Sequence, residues 1–337
     1  MSAGRVPKVV VLGGAVIDLY FRIPGLPTWK QAVQASKFKL WPGGKGLNQA
    51  IAASKLGAEV SMISATGNDD FGRRVIDALD INNVSHDFVK MLEGKDTDVA
   101  AVFVQDETGE PAFIGWKGMT IAELDRRQVK AAEDVIRKAD VLLATFEVSL
   151  EAIEEAVSIA KSAGVKVIVN PAPPHESPIS GSLLEKIDVL VPNIWEAQKL
   201  LRTKEENPRT LALWLMGTGV KVACITTSES GCVVAFDGEV KEFRSEYTIP
   251  RDTTGGSDAF CAALALGLFD ADNGTITWDD AFTQANAAGH SAVTKEGGAM
   301  SMPTKDDLYG VLERWKKLPS KSVEKRARVI KKPSSKK

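Results

Sequence analysis

The 337-residue sequence predicts an α/β fold with a mainly parallel central sheet. Short β-branched runs at 141–143 and 165–169 flank a helix-length amphipathic segment at 149–163. Strands that alternate with helices in this way form parallel sheets covered by helices on both faces. The hydrophobic content of 44% is sufficient for the core of such a fold.

The expected elements follow one another along the chain, and we find no second domain with a core of its own. Strands are expected where apolar runs are short, and helices where apolar residues recur at helical spacing. In chain order, we expect strands at 9–12, 59–64, 141–143, 165–169, 189–191 and 220–226. We expect helices at 46–56, 70–79, 149–163, 196–201 and 259–268.

Two segments, 18–42 and 85–118, interrupt this alternation. Apolar and polar residues alternate in both, and the second contains the turn signal ETGE at 107–110. Such patterns predict short antiparallel strands. Pairing of the two insertions would give a small β-sheet over one end of the main sheet, in the position of a lid.

Composition and charge exclude several classes of protein. The formal net charge is −2, the mean hydropathy is −0.07, and no apolar run approaches the ~18 residues of a membrane-spanning helix. The three cysteines and three histidines are scattered, which favours reduced thiols over disulfides and gives no zinc site. We therefore expect a cytoplasmic protein without membrane partners.

The C-terminal segment 321–337 differs from the rest of the chain. It contains eight Lys or Arg residues, one acidic residue and few apolar ones. This composition predicts a basic, disordered tail, so the folded domain is expected at 1–320. Binding of nucleic acid or an anionic surface is the alternative, but a solvated tail explains the charge without it.

The strongest candidate site is the segment 252–260, DTTGGSDAF, which begins an apolar helix. Ligands of open parallel sheets bind at such helix N-termini. Its two glycines leave backbone amides free to converge on an anion, and the helix dipole adds about half a positive charge. With Asp258 to accept a hydroxyl proton, the segment suits phosphoryl transfer to an alcohol. The alternative is an ordinary glycine-rich turn.

A second glycine loop, 42–50 (PGGKGLNQA), also begins a helix. It is not a Walker A loop, because Lys45 is followed by Gly46 rather than by Ser or Thr. Backbone amides together with Lys45 and Asn48 suit a polyhydroxy substrate. A tight turn that needs glycine is the alternative.

A third glycine turn lies within 292–301 (AVTKEGGAMS), after a helix. The carbonyl groups at the end of a helix lack partners within it and suit a hard cation. Taken alone, the segment is equally explained as a helix C-cap.

Together these segments resemble the ribokinase-like, or pfkB, family of sugar and nucleoside kinases over about residues 7–318. Segments 42–50 and 252–260 resemble its N-terminal and C-terminal signatures. Segments 170–174 (NPAPP) and 193–196 (NIWE) fall at the expected strand ends. The form GGKGLNQ is closer to the ribokinase branch than to adenosine kinases, as is Glu147 after the strand at 141–144. The resemblance implies a three-layer α/β/α sandwich with a small β-sheet lid.

The resemblance also implies a role for each matching residue. Asp258 would be the general base, and the anion hole would consist of the amides of Gly255, Gly256, Ser257 and Asp258. The sugar would be bound by Asp18, Gly44, Lys45, Asn48 and Glu147. The nucleotide would be lined by Asn193, Thr226, Ser228, Gly231 and Asn286. Glu196 would act indirectly on Mg²⁺, and K⁺ would be surrounded by Asp252, Thr254, Ala292, Lys295, Gly297 and Ser301.

The implied activity is an ATP-dependent kinase that phosphorylates the primary hydroxyl of a small, ribose-like sugar. Its cofactors would be ATP, Mg²⁺ and K⁺, and its partners the sugar and the nucleotide. Members of this family commonly dimerise through their lids, which implies a homodimer here.

Three residues depart from the family pattern. Ser257 and Ser228 stand where the family usually has glycine, and Val16 stands where sugar kinases of this branch have asparagine. If the backbone at 257 needs a positive φ, serine costs about 1 kcal/mol. Val16 removes a partner for a substrate hydroxyl, and a buried hydroxyl left unpaired costs ~1–3 kcal/mol.

These departures leave two alternatives open. A nucleoside kinase of the same family is favoured if Val16 faces a base, and the altered residues also fit a sugar-binding protein whose kinase activity has decayed. A dinucleotide-binding oxidoreductase is disfavoured, because the GGAVID segment at 13–18 lacks the Gly-x-Gly-x-x-Gly pattern.

Overall fold

A computed structural model describes residues 5–116, 121–175 and 177–317 of the chain. The predicted basic tail at 321–337 lies outside the described residues, as do residues 117–118 of the second predicted insertion. No helix among the residues described combines the length and the apolar character needed to cross a membrane.

Within these ranges the strands form one large sheet and one small sheet. In chain order they are β1 (Lys8–Leu12), β2 (Val16–Ile23), β3 (Lys37–Gly43), β4 (Glu59–Gly67), β5 (Val84–Leu92), β6 (Val99–Gln105), β7 (Pro111–Trp116), β8 (Val141–Thr145), β9 (Lys166–Asn170), β10 (Val189–Leu190), β11 (Val222–Thr226), β12 (Gly231–Phe236) and β13 (Glu239–Arg244). The large sheet has the order β13-β12-β11-β10-β9-β8-β1-β4-β5. All neighbours from β11 to β5 pair in parallel, and β12 and β13 add an antiparallel edge.

Helices cover both faces of the large sheet, as predicted. In chain order they are α1 (Lys45–Lys55), α2 (Asp70–Ile81), α3 (Arg126–Ala131), α4 (Glu133–Arg137), α5 (Leu150–Ser162), α6 (Gly181–Leu184), α7 (Ile194–Leu201), α8 (Pro208–Met216), α9 (Gly256–Asp272), α10 (Trp278–Val293), α11 (Gly298–Ser301) and α12 (Lys305–Lys316). Successive residues of the central strand β1 belong to different cores. Val9 and Val11 join the core with α1, α9 and α10, whereas Val10 and Leu12 join the core with α3, α5 and α8.

Helix α9 lies at the centre of the first of these cores. It extends over Gly256–Asp272, beyond the predicted span of 259–268, and eleven of its residues are buried. Each fully buried Leu or Phe side chain stabilises the fold by about 1.5–3 kcal/mol. The first turn of α9 is therefore held in a fixed position relative to the sheet.

The small sheet has the order β3-β2-β6-β7 and combines strands from both predicted insertions. The predicted lid is thus confirmed, with two corrections. The second insertion starts later than residue 85, because β5 pairs in parallel with β4 in the large sheet. The lid is also not wholly antiparallel, since β2 and β6, which join the two insertions, run in parallel.

Candidate active site

Helix α9 begins at a glycine whose conformation few other residues adopt. Gly255 has a φ of 81°, and no side chain caps the helix. A Cβ atom on Gly255 would lie 2.7 Å from Cε of Met302. Ser257, in contrast, lies inside the helix and is not among the residues with positive φ, so the strain considered for serine at this position does not arise.

Two of the four amides predicted to form the anion hole are free. The amides of Gly255 and Ser257 have no hydrogen-bond partner among the described residues. The amide of Gly256 donates to the carbonyl of Thr253 at 3.4 Å. The amide of Asp258 donates to the carbonyl of Gly255 at 3.1 Å. Of the four amides predicted to form the anion hole, two therefore remain as free donors at the positive end of α9.

The carboxylate of Asp258 is buried and faces the N-terminus of α1. Asn48 Nδ2 donates to its Oδ2 at 2.9 Å, and Gln49 Nε2 donates to its Oδ1 at 3.2 Å. Lys45 Nζ lies 3.9 Å from Oδ1. The structure thus brings together Asp258, Lys45 and Asn48 from the two signatures, which lie about 200 residues apart in the sequence.

Gln49 is a residue of this site that the sequence reasoning missed. Its side chain is fully buried, and its amide reaches Asp258 as well as Asn170 Oδ1, the latter at 3.5 Å. A polar residue in the otherwise apolar run of α1 was the available signal, because fully buried glutamines are uncommon unless they are hydrogen-bonded.

Helix α1 also begins at a left-handed glycine without a side-chain cap, Gly44 with a φ of 94°. Here the amides are occupied. The carboxylate of Glu147 accepts hydrogen bonds at 2.8–3.0 Å from the backbone amides of Gly14, Lys45 and Gly46. Glu147, predicted as a sugar ligand, is thus first of all an internal anion that fixes the loop at 42–46. Its Oε1 can accept one more hydrogen bond.

Asp18 lies on β2 of the lid and points into the same site. It is 7% exposed, and no hydrogen bond to its carboxylate is found among the described residues. Gly43 is required opposite it, since a Cβ there would lie 2.1 Å from Asp18 Oδ2. Burial, followed by the charges of Glu147, Asp252 and Asp258, raises the pKa of Asp18 to about 7.

Asn193 and Glu196 lie at the N-terminus of α7, just after strand β10. Asn193 caps α7 and exchanges hydrogen bonds with Glu196, and a β-bridge places it beside Thr226. Burial raises the pKa of Glu196, while the positive charge of Lys45 opposes this shift. The carboxylate of Glu196 is therefore close enough to Lys45 for their charges to interact.

Two of the predicted nucleotide residues, Ser228 and Gly231, lie where β11 connects to β12, and Asn286 lies on α10. Ser228 has a φ of 53°, in the left-handed region, where the family has glycine. Gly231 has a φ of 101°, and a Cβ there would lie 2.1 Å from the carbonyl oxygen of Phe243. Asn286 Nδ2 donates to that same carbonyl at 2.8 Å, which leaves its second N–H and its Oδ1 for a ligand.

Asp252, predicted to contact a monovalent cation, is fully buried and bound by main-chain amides. Thr254 N donates to its Oδ1 at 2.9 Å, and Gly297 N donates to its Oδ2 at 2.8 Å. The hydroxyl of Thr254 is buried without a partner among the described residues. Three other predicted residues lie on both sides of Gly297 in the chain: Ala292 near the end of α10, Lys295 in the turn and Ser301 at the end of α11. Of these, the carbonyl of Ala292 already accepts the amide of Lys295.

Comparison with known proteins tests the family resemblance that the two signatures carry. The model of the pfkB family of carbohydrate kinases matches residues 6–305. The chain belongs to that family. It is an ATP-dependent sugar kinase, a phosphotransferase with an alcohol group as acceptor, as the two signatures implied.

Similar proteins within the family carry the name ribokinase. The chain is 30% identical to ribokinase of Mus musculus over 305 residues, which cover 89% of this chain and 93% of that protein. It is 32% identical to ribokinase of Schizosaccharomyces pombe over 316 residues, covering 90% and 97%. The structure of Arabidopsis thaliana ribokinase complexed with ribose and ATP matches with a TM-score of 0.76 at 27% identity, covering 92% of this chain and 99% of that one.

Proposed function

We propose that this sugar kinase, its domain at 1–320, transfers the γ-phosphoryl group of ATP to the primary hydroxyl of a small, ribose-like sugar. One observation carries the proposal: the Asp258 carboxylate lies in the first turn of the helix whose Gly255 and Ser257 amides are free. The same helix then carries both a base and the backbone amides that can donate hydrogen bonds to an anion. The ribokinase names of the relatives and the ribose and ATP of the Arabidopsis structure support the choice of substrates.

The proposed chemistry follows from these positions. The sugar hydroxyl donates to Asp258, which accepts its proton as the oxygen attacks the γ-phosphorus in line. The bond from the γ-phosphorus to the bridging oxygen breaks, and ADP leaves with that oxygen. Negative charge on the transferred group is stabilised by the amides of Gly255 and Ser257 at the positive end of α9. Asn48 and Gln49 orient the base by donating to its two oxygens.

The remaining sugar hydroxyls are assigned to the loop at 42–48 and to the lid. Asn48 Oδ1 is buried and has no hydrogen-bond partner among the described residues, so it is left an acceptor in need of a donor. The carboxylate of Asp18 is likewise buried without a partner. Two unpaired acceptors facing one site fit a polyhydroxy ligand better than an apolar one.

We assign Mg²⁺ to the region of Asn193 and Glu196. A buried carboxylate near the phosphate end of the site fits an ion held through water, and Mg²⁺ there would neutralise charge on the phosphates. We assign K⁺ to the turn that holds Asp252. A fully buried carboxylate with only main-chain donors beside the unpaired Thr254 hydroxyl fits a monovalent cation behind the anion hole.

The identity of the sugar depends on Val16, which gives a second candidate. Val16 is partly buried at the start of β2 and packs against the same apolar core as Ile121. A valine cannot hydrogen-bond the hydroxyl that asparagine would hold. This favours a sugar that lacks one hydroxyl or a nucleoside whose base lies against Val16, over a fully hydroxylated pentose.

We further propose a homodimer formed through the lid, in the cytoplasm. The two edge strands of the small sheet carry exposed apolar side chains, with Phe38 on β3 and Phe113, Ile114 and Trp116 on β7 each more than half exposed. Exposed edge strands with apolar side chains are normally covered by a partner. The three cysteines are free and buried, which suits a reducing compartment.

A phosphorylation panel tests the function. Ribose, 2-deoxyribose, fructose and adenosine are each incubated with ATP and Mg²⁺, in K⁺ or Na⁺, and ADP release is measured. We expect turnover with one of the pentoses and faster turnover in K⁺. The matched control is 5-deoxyribose, which should bind without being phosphorylated because it lacks the acceptor hydroxyl. If calorimetry shows sugar binding but no ADP is released, the result would support a sugar-binding protein whose kinase activity has decayed. If adenosine is the only compound phosphorylated, the result would support a nucleoside kinase.

A further inference from the structure

A largely covered carboxylate outside the predicted catalytic set, that of Glu296, pairs with three basic residues from distant parts of the chain. Glu296 has an 11% exposed side chain. Its Oε1 lies 3.3 Å from Arg22 Nη1 and 3.1 Å from Arg251 Nε, and its Oε2 pairs with Lys37 Nζ. Burial by itself would raise the pKa of Glu296, but the hydrogen bonds from Lys37 and Arg251 hold it below its ordinary value.

The partners of Glu296 belong to two different parts of the site. Arg22 and Lys37 lie on β2 and β3 of the lid, whereas Arg251 directly precedes Asp252. The guanidinium of Arg22 also donates to the carbonyl of Arg251 at 3.2 Å. Three cations on one poorly exposed carboxylate form a network, which contributes more than isolated surface pairs do.

Other contacts between the lid and the same loop lie nearby. The amide of Thr253 donates to the carbonyl of Gly109, in the turn between β6 and β7, at 3.2 Å. Trp41 of β3 packs so closely on Gly297 that a Cβ there would lie 2.6 Å from its ring. The hydroxyl of Tyr20 is buried, and burial together with the charge of Asp252 raises its pKa. The lid is therefore seated directly on the segments that shape the anion hole.

Glu296 adds a connection from the lid to Asp252 that runs through the adjacent backbone. The next residue, Gly297, donates its amide to Asp252 Oδ2 at 2.8 Å. Asp252 in turn receives the amide of Thr254 at 2.9 Å, one residue before the free amide of Gly255. A displacement of the lid is thus transmitted to the first turn of α9 through a short series of hydrogen bonds and ion pairs.

We infer that Glu296 is a positioning residue that couples the lid, which carries Asp18, to the turn that binds the transferred phosphoryl group. This inference rests on the proposed function for the identity of the two ligands, but the coupling itself belongs to the protein without ligands. Sugar held by the closed lid then favours the arrangement of α9 that binds nucleotide. By thermodynamic reciprocity, nucleotide favours sugar by the same factor.

The first experiment examines the protein without ligands. Amide hydrogen exchange is measured for Glu296→Gln, which removes the negative charge and keeps the size. We expect exchange to become about tenfold faster in 250–257 and in lid strands β2 and β3 together. Glu313→Gln, which removes an exposed pair with Lys316 on α12, is the control and should leave both regions unchanged. Faster exchange in only one of the two regions, or in neither, would overturn the coupling whatever the enzyme phosphorylates.

The second experiment measures the coupling factor. The affinity for a non-hydrolysable ATP analogue is determined with and without the sugar that the wild-type enzyme phosphorylates fastest. We expect sugar to tighten analogue binding about tenfold in the wild type and less than about twofold in Glu296→Gln or Lys37→Gln. The affinity of each variant for the analogue alone should stay near that of the wild type. An undiminished factor in folded Glu296→Gln would contradict the inference and leave the proposed function intact, whereas absence of sugar phosphorylation by the wild type would count against the function alone.

Discussion

Helices α1 and α9 begin in the same way and differ in what occupies their N-termini. Each starts at a glycine with positive φ, Gly44 at 94° and Gly255 at 81°, and neither has a side-chain cap. At α1 the first amides are hydrogen-bonded to the carboxylate of Glu147. At α9 the amides of Gly255 and Ser257 have no partner among the described residues.

This difference separates an N-terminus occupied by an internal carboxylate from the one that we propose binds phosphate. Both N-termini attract negative charge through their dipole and their unpaired amides. An anion supplied by the protein itself fixes the loop at 42–46 before any ligand arrives. The N-terminus left without an internal anion is the one available to a phosphate group.

The largest effect is expected at the α9 end, for Asp258→Asn. The amide cannot accept the hydroxyl proton, so kcat should fall about 10³-fold. Sugar affinity should change much less than kcat, because one of the two donors, Asn48 or Gln49, can still bond to the oxygen that remains. Initial rates of ADP release measure the first quantity and calorimetry with sugar the second.

A fold control separates chemistry from stability in that variant. Thermal unfolding should remain within a few degrees of the wild type, since the substitution preserves shape. A kcat for Asp258→Asn within about tenfold of the wild type would exclude Asp258 as the base.

The corresponding change at the α1 end is Glu147→Gln. A glutamine offers one acceptor oxygen where the structure uses two, and its amide group would face backbone donors. We expect the free energy of unfolding to fall by about 2–3 kcal/mol and the KM for sugar to rise about tenfold or more. Urea denaturation and steady-state kinetics measure these quantities. A Glu147→Gln variant as stable as the wild type would show that the loop at 42–46 does not need the internal carboxylate. The proposed difference between the two helix N-termini would then be wrong.

The third prediction concerns pH and the carboxylate that faces both helices. Asp18 has a pKa of about 7 in the protein without ligands, raised by burial and by its acidic neighbours. Sugar hydroxyls bind the ionised form, so affinity is lost as pH falls through this value. We expect the KM for sugar to rise about tenfold between pH 8 and pH 6, with a smaller change in kcat.

The variant Asp18→Asn checks the assignment of that titration. It should show a raised KM with a nearly flat profile over the same pH range. A profile that keeps the wild-type shape in Asp18→Asn would assign the titration to another group.

The smallest effect is expected at Ser228, which has a positive φ and lies in the loop proposed to bind the nucleotide. Unlike Gly44 and Gly255, Ser228 adopts a φ of 53° with a side chain. Because this strain is present in the protein without nucleotide, Ser228→Gly should raise the free energy of unfolding by about 1 kcal/mol, measured by urea denaturation. Ser230→Gly, in the same loop but without a positive φ, is the matched control. An equal effect of the two substitutions would show that loop flexibility, rather than relief of strain, is responsible.

Several features were predicted correctly because they depend on local sequence. Helix α1 was expected at 46–56 and lies at Lys45–Lys55, and α2 was expected at 70–79 and lies at Asp70–Ile81. Capping residues and apolar periodicity determine such elements over a few neighbouring residues. Strand β5, in contrast, was assigned to the lid, because a half-buried strand has the same pattern in either sheet and only its pairing with β4 decides.

The sequence by itself determined the family, the order of the elements and the two glycine-initiated helices, since spacing and residue type are sufficient for these. Only the tertiary structure decided which of the two N-termini is already occupied. Glu147 lies more than 100 positions from the amides it binds, and Glu296 lies 259 positions from Lys37. Gln49 likewise reaches Asp258 across 209 positions. Contacts of this kind arise when packed layers bring strand ends together, and no local pattern in the chain encodes them.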